Sequence, residues 1–166
     1  MTLSAEIIQH IPRLRRYARA LARDTAHADD LVQDTLERAL TKLDLWRPNS
    51  DLRAWLFTLM HNLFVNQMRS SNNHALCELD EANDMPVSGG QNEAMAVRDI
   101  HAALAKLPPE QREVMLLVGL EQFAYADAAR ILGVPQGTVM SRLSRARERM
   151  RQLLDGQQVT KLQVVK

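Results

Sequence analysis

The sequence predicts an all-α protein: two small helical domains joined by a flexible linker. Three observations carry that expectation. Of 166 residues 46% are apolar but only 4% aromatic, and Ala, Leu, Arg and Met are abundant, a mixture that favours helices over sheets. Apolar residues recur at steps of three and four in several stretches, the period of a helix with one buried face. Between Ser70 and Gln91 the period fails, giving way to Ser-Ser-Asn-Asn, scattered acids, Pro86 and Ser88-Gly89-Gly90. Those roughly 22 residues reach about 70 Å when extended, ample to join two packed domains. The expected boundaries are 1–70 for the first domain, 71–92 for an acidic linker, 93–155 for the second domain and 156–166 for a polar tail.

Ile7, Ile11, Leu14, Ala18 and Leu21 place an amphipathic helix over residues 5 to 22, with Arg13, Arg16 and Arg19 on other faces. Asp24 or Thr25 offers an N-cap for a second helix with Val32, Thr35, Leu36, Ala39, Leu40 and Leu43 on its inner stripe. Asp29, Asp30, Gln33, Asp34 and Glu37 fall largely outside that stripe. A loop follows at Trp46-Arg-Pro-Asn-Ser50, and Ser50 or Asp51 caps a third helix whose inner residues are Leu52, Trp55, Leu56, Leu59, Met60 and Leu63. Trp55 is therefore expected in the core, and Trp46, on the loop, as the exposed aromatic.

Periodicity resumes at Val97, Ile100, Leu104 and Leu107. Pro108-Pro109-Glu110 then stops one helix and starts the next, because proline suits a first helical turn and glutamate complements the N-terminal dipole. Val114, Leu117 and Val118 form the buried side of that helix. Phe123 to Leu132 makes a short helix, Gly133-Val-Pro135 a tight turn, and Gln136 to about Leu154 a longer last helix: a helix-turn-helix pattern.

The net charge of +1 conceals a division along the chain. Residues 71–99 carry a net charge of −5 and residues 134–166 a net charge of +5. Much of the basic excess lies in Arg142, Arg145, Arg147, Arg149 and Arg151, as expected of an element that faces a polyanion. Within the last helix Val139, Leu143, Ala146, Met150 and Leu153 point inward. Thr138, Ser141, Arg142, Arg145 and Arg149 share an adjoining face, where guanidinium forks and short hydroxyls meet base edges and phosphates.

Several chemistries find no support. Cys77 is the single cysteine, which excludes an internal disulfide. His74 and Cys77 are the one histidine–cysteine pair close enough to suggest a metal, and they lack further ligands at metal spacing. No P-loop, nucleotide-binding glycine pattern or catalytic triad spacing occurs, so neither a cofactor nor an enzymatic activity is expected. No apolar run approaches the ~18 residues of a membrane span, which predicts a cytoplasmic protein with no membrane insertion.

The segment Gly133-Val-Pro-Gln-Gly137-Thr-Val-Met-Ser-Arg142-Leu-Ser-Arg145-Ala-Arg147-Glu148 resembles the −35-reading helix-turn-helix of the extracytoplasmic-function (ECF) sigma factors of bacterial RNA polymerase. Leu107-Pro-Pro-Glu-Gln-Arg112-Glu113-Val-Met-Leu-Leu resembles the helix that opens the same domain. Independently, Ala28-Asp-Asp-Leu-Val-Gln-Asp-Thr35 is similar to the family's core-polymerase-binding helix, and Asp51-Leu-Arg-Ala-Trp-Leu-Phe-Thr-Leu-Met-His-Asn62 to its −10-reading helix. The two motif-bearing domains stand in the family's order and cover nearly the whole chain.

The resemblance implies a promoter-specificity subunit that binds core polymerase, recognises −35 and −10 elements and assists melting. It assigns contact with the clamp helices of polymerase's largest subunit to Asp29, Asp30, Gln33, Asp34 and Arg38. The −10 element would meet Trp46, Arg47, Asn49, Ser50, Asn62 and Asn66; the −35 element would meet Thr138, Ser141, Arg142, Ser144, Arg145 and Arg149. It further implies the flap of the second polymerase subunit, promoter DNA and an anti-sigma factor as partners, a role in stress response and a monomer when free. Two alternatives compete: a sigma-like decoy that sequesters an anti-sigma factor, and a stand-alone helix-turn-helix regulator. Retained arginines in the last helix oppose the first, and the polymerase-binding motif opposes the second.

Overall fold

A computed structural model describes residues 2–22, 24–74 and 91–164; of 71–74, 91 and 157–164 it describes the backbone alone. Every element among them is helical: α1 (Leu3–Leu21), α2 (Thr25–Thr41), a single 3₁₀ turn (Leu43–Leu45), α3 (Leu52–His74), α4 (Gln91–Ala105), α5 (Pro109–Met115), a π turn (Leu116–Leu120), α6 (Tyr125–Leu132) and α7 (Gln136–Val164). None of these helices is long and apolar enough to cross a membrane. Most of the expected linker, with Cys77 and its acids, lies outside the described residues. The last helix runs to Val164, ten residues beyond its expected end, through much of the segment expected as a tail.

α1, α2 and α3 pack as one group, and α4 to α7 as a second. The Asp24 carboxylate caps α2 by accepting the His27 backbone N–H at 2.7 Å. Asp51 does the same for α3, accepting from the Ala54 N–H at 3.2 Å. Pro109 takes the first position of α5, as its missing N–H allows. Gly133 ends α6 in the left-handed conformation at φ 67°, which a side chain tolerates poorly.

Several expected core residues sit elsewhere. α2 buries Ala28, Leu31, Val32, Thr35 and Ala39, so Leu36 and Leu43 are only half-buried, and Leu40, 100° round the helix from Ala39, is left 52% exposed. In α4 burial is confined to Ala103 and Leu104, with Leu107 just beyond, while Val97 and Ile100 are 49% and 45% exposed because its first turns find little to pack on among the described residues. Trp46, expected exposed, is half-buried against the core, its indole N–H without a hydrogen-bond partner among the described residues. Trp55, expected in the core, is likewise only half-buried.

α1 and α3 bury more than one stripe. Tyr17 joins Leu14, Ala18 and Leu21, and Phe57 and Phe64 join Leu56 and Met60. The reason is that both helices are covered twice: α3 packs against α2 on one side and α6 on the other, and α1 meets α2, α4, α5 and the π turn. The two domains therefore close on each other. Tyr17 meets Phe57 edge-on at 5.0 Å between ring centroids, and Phe57 meets Phe123 of the second domain at 5.3 Å. The Arg53 guanidinium lies over the Phe123 ring at 3.9 Å and donates to the Glu121 carbonyl at 3.2 Å. Arg16 donates to the buried Glu121 carboxylate at 3.2 Å, and His61 of α3 pairs with Glu113 of α5.

Arg112 completes the junction. Buried at 7% exposure, it donates to the carbonyls of Leu104, Ala105 and Leu107 around the end of α4 and, at 2.8 Å, to that of Leu21 at the end of α1. A cation at two helix C-termini also meets the negative ends of their dipoles. Arg112→Met should lower stability by about 3 kcal/mol or more in urea unfolding, since it strands several buried carbonyls. Gly133→Ala should cost about 1 kcal/mol, all of it conformational, because an added Cβ there meets no atom within 4 Å.

Candidate nucleic-acid and partner interfaces

Asp29, Asp30, Gln33, Asp34 and Arg38 are all exposed on α2. α1 and α2 leave a groove between them in which Asp29, Gln33 and Glu37 stand beside Val32, Leu36 and Leu40, with Arg15 and Arg19 on the opposite wall. The groove thus offers carboxylates, an amide and an apolar strip together. The sequence reading missed its apolar part by assigning Leu40 to the core. The signal was available, because the set 28, 32, 35 and 39 keeps the helical period without position 40. At the base of α2, burial counts for less than hydrogen bonding: the His27 backbone N–H, above all, holds the Asp24 carboxyl below its usual pKa.

The loop before α3 presents Arg47, Asn49 and Ser50 to solvent. Asn49 takes a left-handed backbone at φ 71°, which asparagine tolerates better than most residues. The Ser50 hydroxyl donates to the Arg47 carbonyl at 2.6 Å, so it closes the turn. Asn62 and Asn66 are exposed one helical turn apart, on one face of α3, each with an amide that can donate and accept. Trp46 stands apart from them, packed inward as described above.

On α7 the buried stripe is Val139, Leu143 and Ala146. At 100° per residue Ser141, Ser144 and Arg145 lie opposite that stripe, and all three are exposed. Thr138 and Arg142 are half-buried, Arg142 on the flank of the stripe together with exposed Arg149. The other flank carries Met140, 51% exposed, which with Ser144, Arg147 and Tyr125 of α6 lines a shallow cleft. Neither Met140 nor Arg147 was singled out for this role from the sequence, although an exposed apolar residue beside two hydroxyls suits a thymine methyl. Arg151 pairs with Glu148, whereas Arg142, Arg145, Arg147 and Arg149 make no ion pair among the described residues. Among those residues no group of three or more potential ligands could hold a metal ion.

Residues 7–61 match the family model described as the Sigma2 domain of PhyR, and residues 98–150 that of Sigma-70, region 4. EcfG, an ECF RNA polymerase sigma factor of Rhodopseudomonas palustris, is 40% identical over 154 residues, spanning 92% of this chain and 85% of EcfG. The chain belongs to the ECF sigma factors. SigM of Mycobacterium tuberculosis is 32% identical over 146 residues, 88% of this chain and 74% of SigM. Among solved structures, the sigma factor RpoE of Bartonella quintana in complex with the anti-sigma factor NepR is 37% identical and superposes with a TM-score of 0.82 over 91% of this chain and 95% of RpoE. CnrH, solved with the cytosolic domain of CnrY, is 29% identical with a TM-score of 0.67 over 92% and 86%.

A score of that size over nearly all of both chains needs both sigma domains to superpose together. The likeness to RpoE therefore extends over the two domains taken together. Where the domains meet, burial, and next the Glu113 and Glu121 carboxylates, push the Tyr17 phenol well above its usual pKa. A tyrosine in the unfolded chain ionises near pH 10, earlier than this buried one, so its contribution to stability is complete below pH ~10 and declines as pH rises beyond it. Urea midpoints measured from pH 8 to 11 should fall more steeply above pH ~10 for the wild type than for Tyr17→Phe.

Proposed function

We propose that the two helical domains divide the work of a promoter-specificity subunit between an acidic face and a basic one. α2 docks on the clamp helices of polymerase's largest subunit through Asp29, Asp30, Gln33, Asp34 and Arg38, with the apolar strip of its groove adding contact area. The −10 element is met by Arg47, Asn49 and Ser50 on the loop and by Asn62 and Asn66 on α3, the amides pairing with the edges of unstacked bases. Trp46 supports this loop from beneath. The −35 element is met by Ser141, Ser144 and Arg145 on the outermost face of α7, with Thr138, Arg142 and Arg149 on the flank toward phosphates.

The observation that carries this reading is the row of arginines on α7 with no acidic partner among the described residues, within a region that matches sigma region 4. Unpaired guanidinium forks on the exposed side of a helix-turn-helix are available to phosphate and guanine. The sigma factor performs no bond chemistry of its own; bond-making belongs to the polymerase, in the cytoplasm. The two relatives solved with anti-sigma partners, RpoE with NepR and CnrH with CnrY, support an anti-sigma factor for this chain as well. The match of residues 7–61 to a PhyR domain favours a decoy, since PhyR of Bartonella quintana is an anti-anti-sigma factor solved with NepR, and the retained arginines outweigh it.

Reconstitution with core RNA polymerase, read by genomic run-off sequencing, tests the function: transcripts should begin downstream of a shared two-part motif. Arg145→Ala should weaken promoter binding by about 1–3 kcal/mol while leaving core binding intact. Asp30→Lys should do the reverse, lowering core affinity at least about tenfold, because like charges facing each other across an interface cost several kcal/mol. Equal loss of both activities in folded variants would contradict the division.

A further inference from the structure

We propose that Met140 is a specificity-determining residue of the sigma factor: from the cleft it shares with Tyr125, Ser144 and Arg147, it reads the C5 methyl group of one thymine in the −35 element. This rests on the two-element reading above and names the base that its −35 face selects.

A single apolar side chain on a protein surface is ordinary. Met140 is set apart by its company. Among the exposed residues of 136–156 it is the one large apolar side chain, and it stands beside Gly137, Ser141 and Ser144 in the opening turns of α7, where a recognition helix meets base edges. Its neighbours recognise polar groups. The Ser141 hydroxyl donates to the Thr138 carbonyl at 3.1 Å, so toward a base it acts as an acceptor and suits an amino group. Arg145 carries donors alone. Thymine's C5 methyl is the one apolar group in the major-groove code, and Met140 is the one side chain on this face that complements it. Against an amino, carbonyl or N7 edge the thioether would strip away water without replacing its hydrogen bonds. The same residue therefore favours thymine and penalises its replacements.

Local geometry leaves room for the contact. Helical side chains lean toward the N-terminus, which carries Met140 over Gly137 one turn earlier. A Cβ at Gly137 would meet no atom within 4 Å, so the approach of a base is open. Methionine, unbranched and polarisable, fits its chain to whatever surface arrives there.

The rest of the cleft is polar. Arg147 makes no ion pair among the described residues, and Tyr125, the first residue of α6, stands across from it. The one carboxylate in the cleft, on Glu148, is paired with Arg151 and accepts from the Gln152 amide at 3.3 Å. A guanidinium and a phenol beside a neutralised acid suit a backbone phosphate, and a phosphate held there sets the register in which Met140 meets its base.

The test uses holoenzyme, core polymerase with the full-length chain, bound to synthetic promoter duplexes built on the motif that run-off sequencing yields. Each −35 thymine, on either strand, is replaced in turn by deoxyuridine, which removes the methyl group and nothing else. For the wild type, affinity should fall about fourfold at one position, the worth of one buried methyl group, and for Met140→Ala it should not change there. Met140→Ala should bind the unmodified duplex about as weakly as the wild type binds the uridine one, with core affinity and urea midpoint unchanged, and Met140→Leu should keep the methyl preference. A −35 motif with no thymine on either strand, uridine penalties equal in wild type and Met140→Ala at every position, or full promoter affinity of Met140→Ala would each overturn the methyl contact. Failure of wild-type holoenzyme to bind or start at any shared motif would instead sink the sigma reading, whereas tight binding indifferent to uridine overturns the contact alone.

Discussion

One buried guanidinium fixes how the chain holds together. Arg112 lies where α4 ends, α5 begins and α1 ends, and its donors reach the Leu21, Ala105 and Leu107 carbonyls at the helix ends as well as that of Leu104, which also accepts from the Leu107 N–H. Taking that charge out of water is tolerable because four carbonyl oxygens and two helix dipoles receive it. Three of the four acceptors belong to the second domain; the fourth, on Leu21, ties that domain to the first. Ion pairs and stacked rings farther along the junction add to this contact.

The helices were legible because their signals are local. The Asp24 and Asp51 caps, Pro109 at a helix start and Gly133 at a helix end are each decided by a few neighbouring residues. The helix-turn-helix was legible for the same reason. The domain junction was not, because nothing in periodicity tells a helix covered on one side from one covered on two. Tyr17 and Phe57 went unnoticed as core because they lie outside the main stripes, where they pack on each other and on the other domain. The π turn escaped too, since Leu116 to Leu120 reads equally well as ordinary α-helix.

At the candidate interfaces the sequence located the elements better than the faces. The acidic residues of α2 and the amides of α3 are exposed as their spacing implies. Leu40 and Trp46 exchanged the places expected of them, because hydrophobicity alone cannot say which apolar residue a short loop will tuck under and which a helix will turn outward. On α7, one residue of rotation separates the outermost position of Ser141 from the flank position of Arg142, and that resolution needs the buried stripe to be fixed first.

The edge-on line of Tyr17, Phe57 and Phe123 ties residues from both ends of the sequence into one packing unit. Rings in such contact cannot change size one at a time without a void or a clash. DNA reading by these proteins is modular in principle, each domain meeting its own element. Their inheritance is less so: a chimera taking its first domain from one relative and its second from another must match at this ring line as well as at its promoter. Recombination between paralogues is therefore filtered first by the fit of the halves to each other, before any promoter is tried.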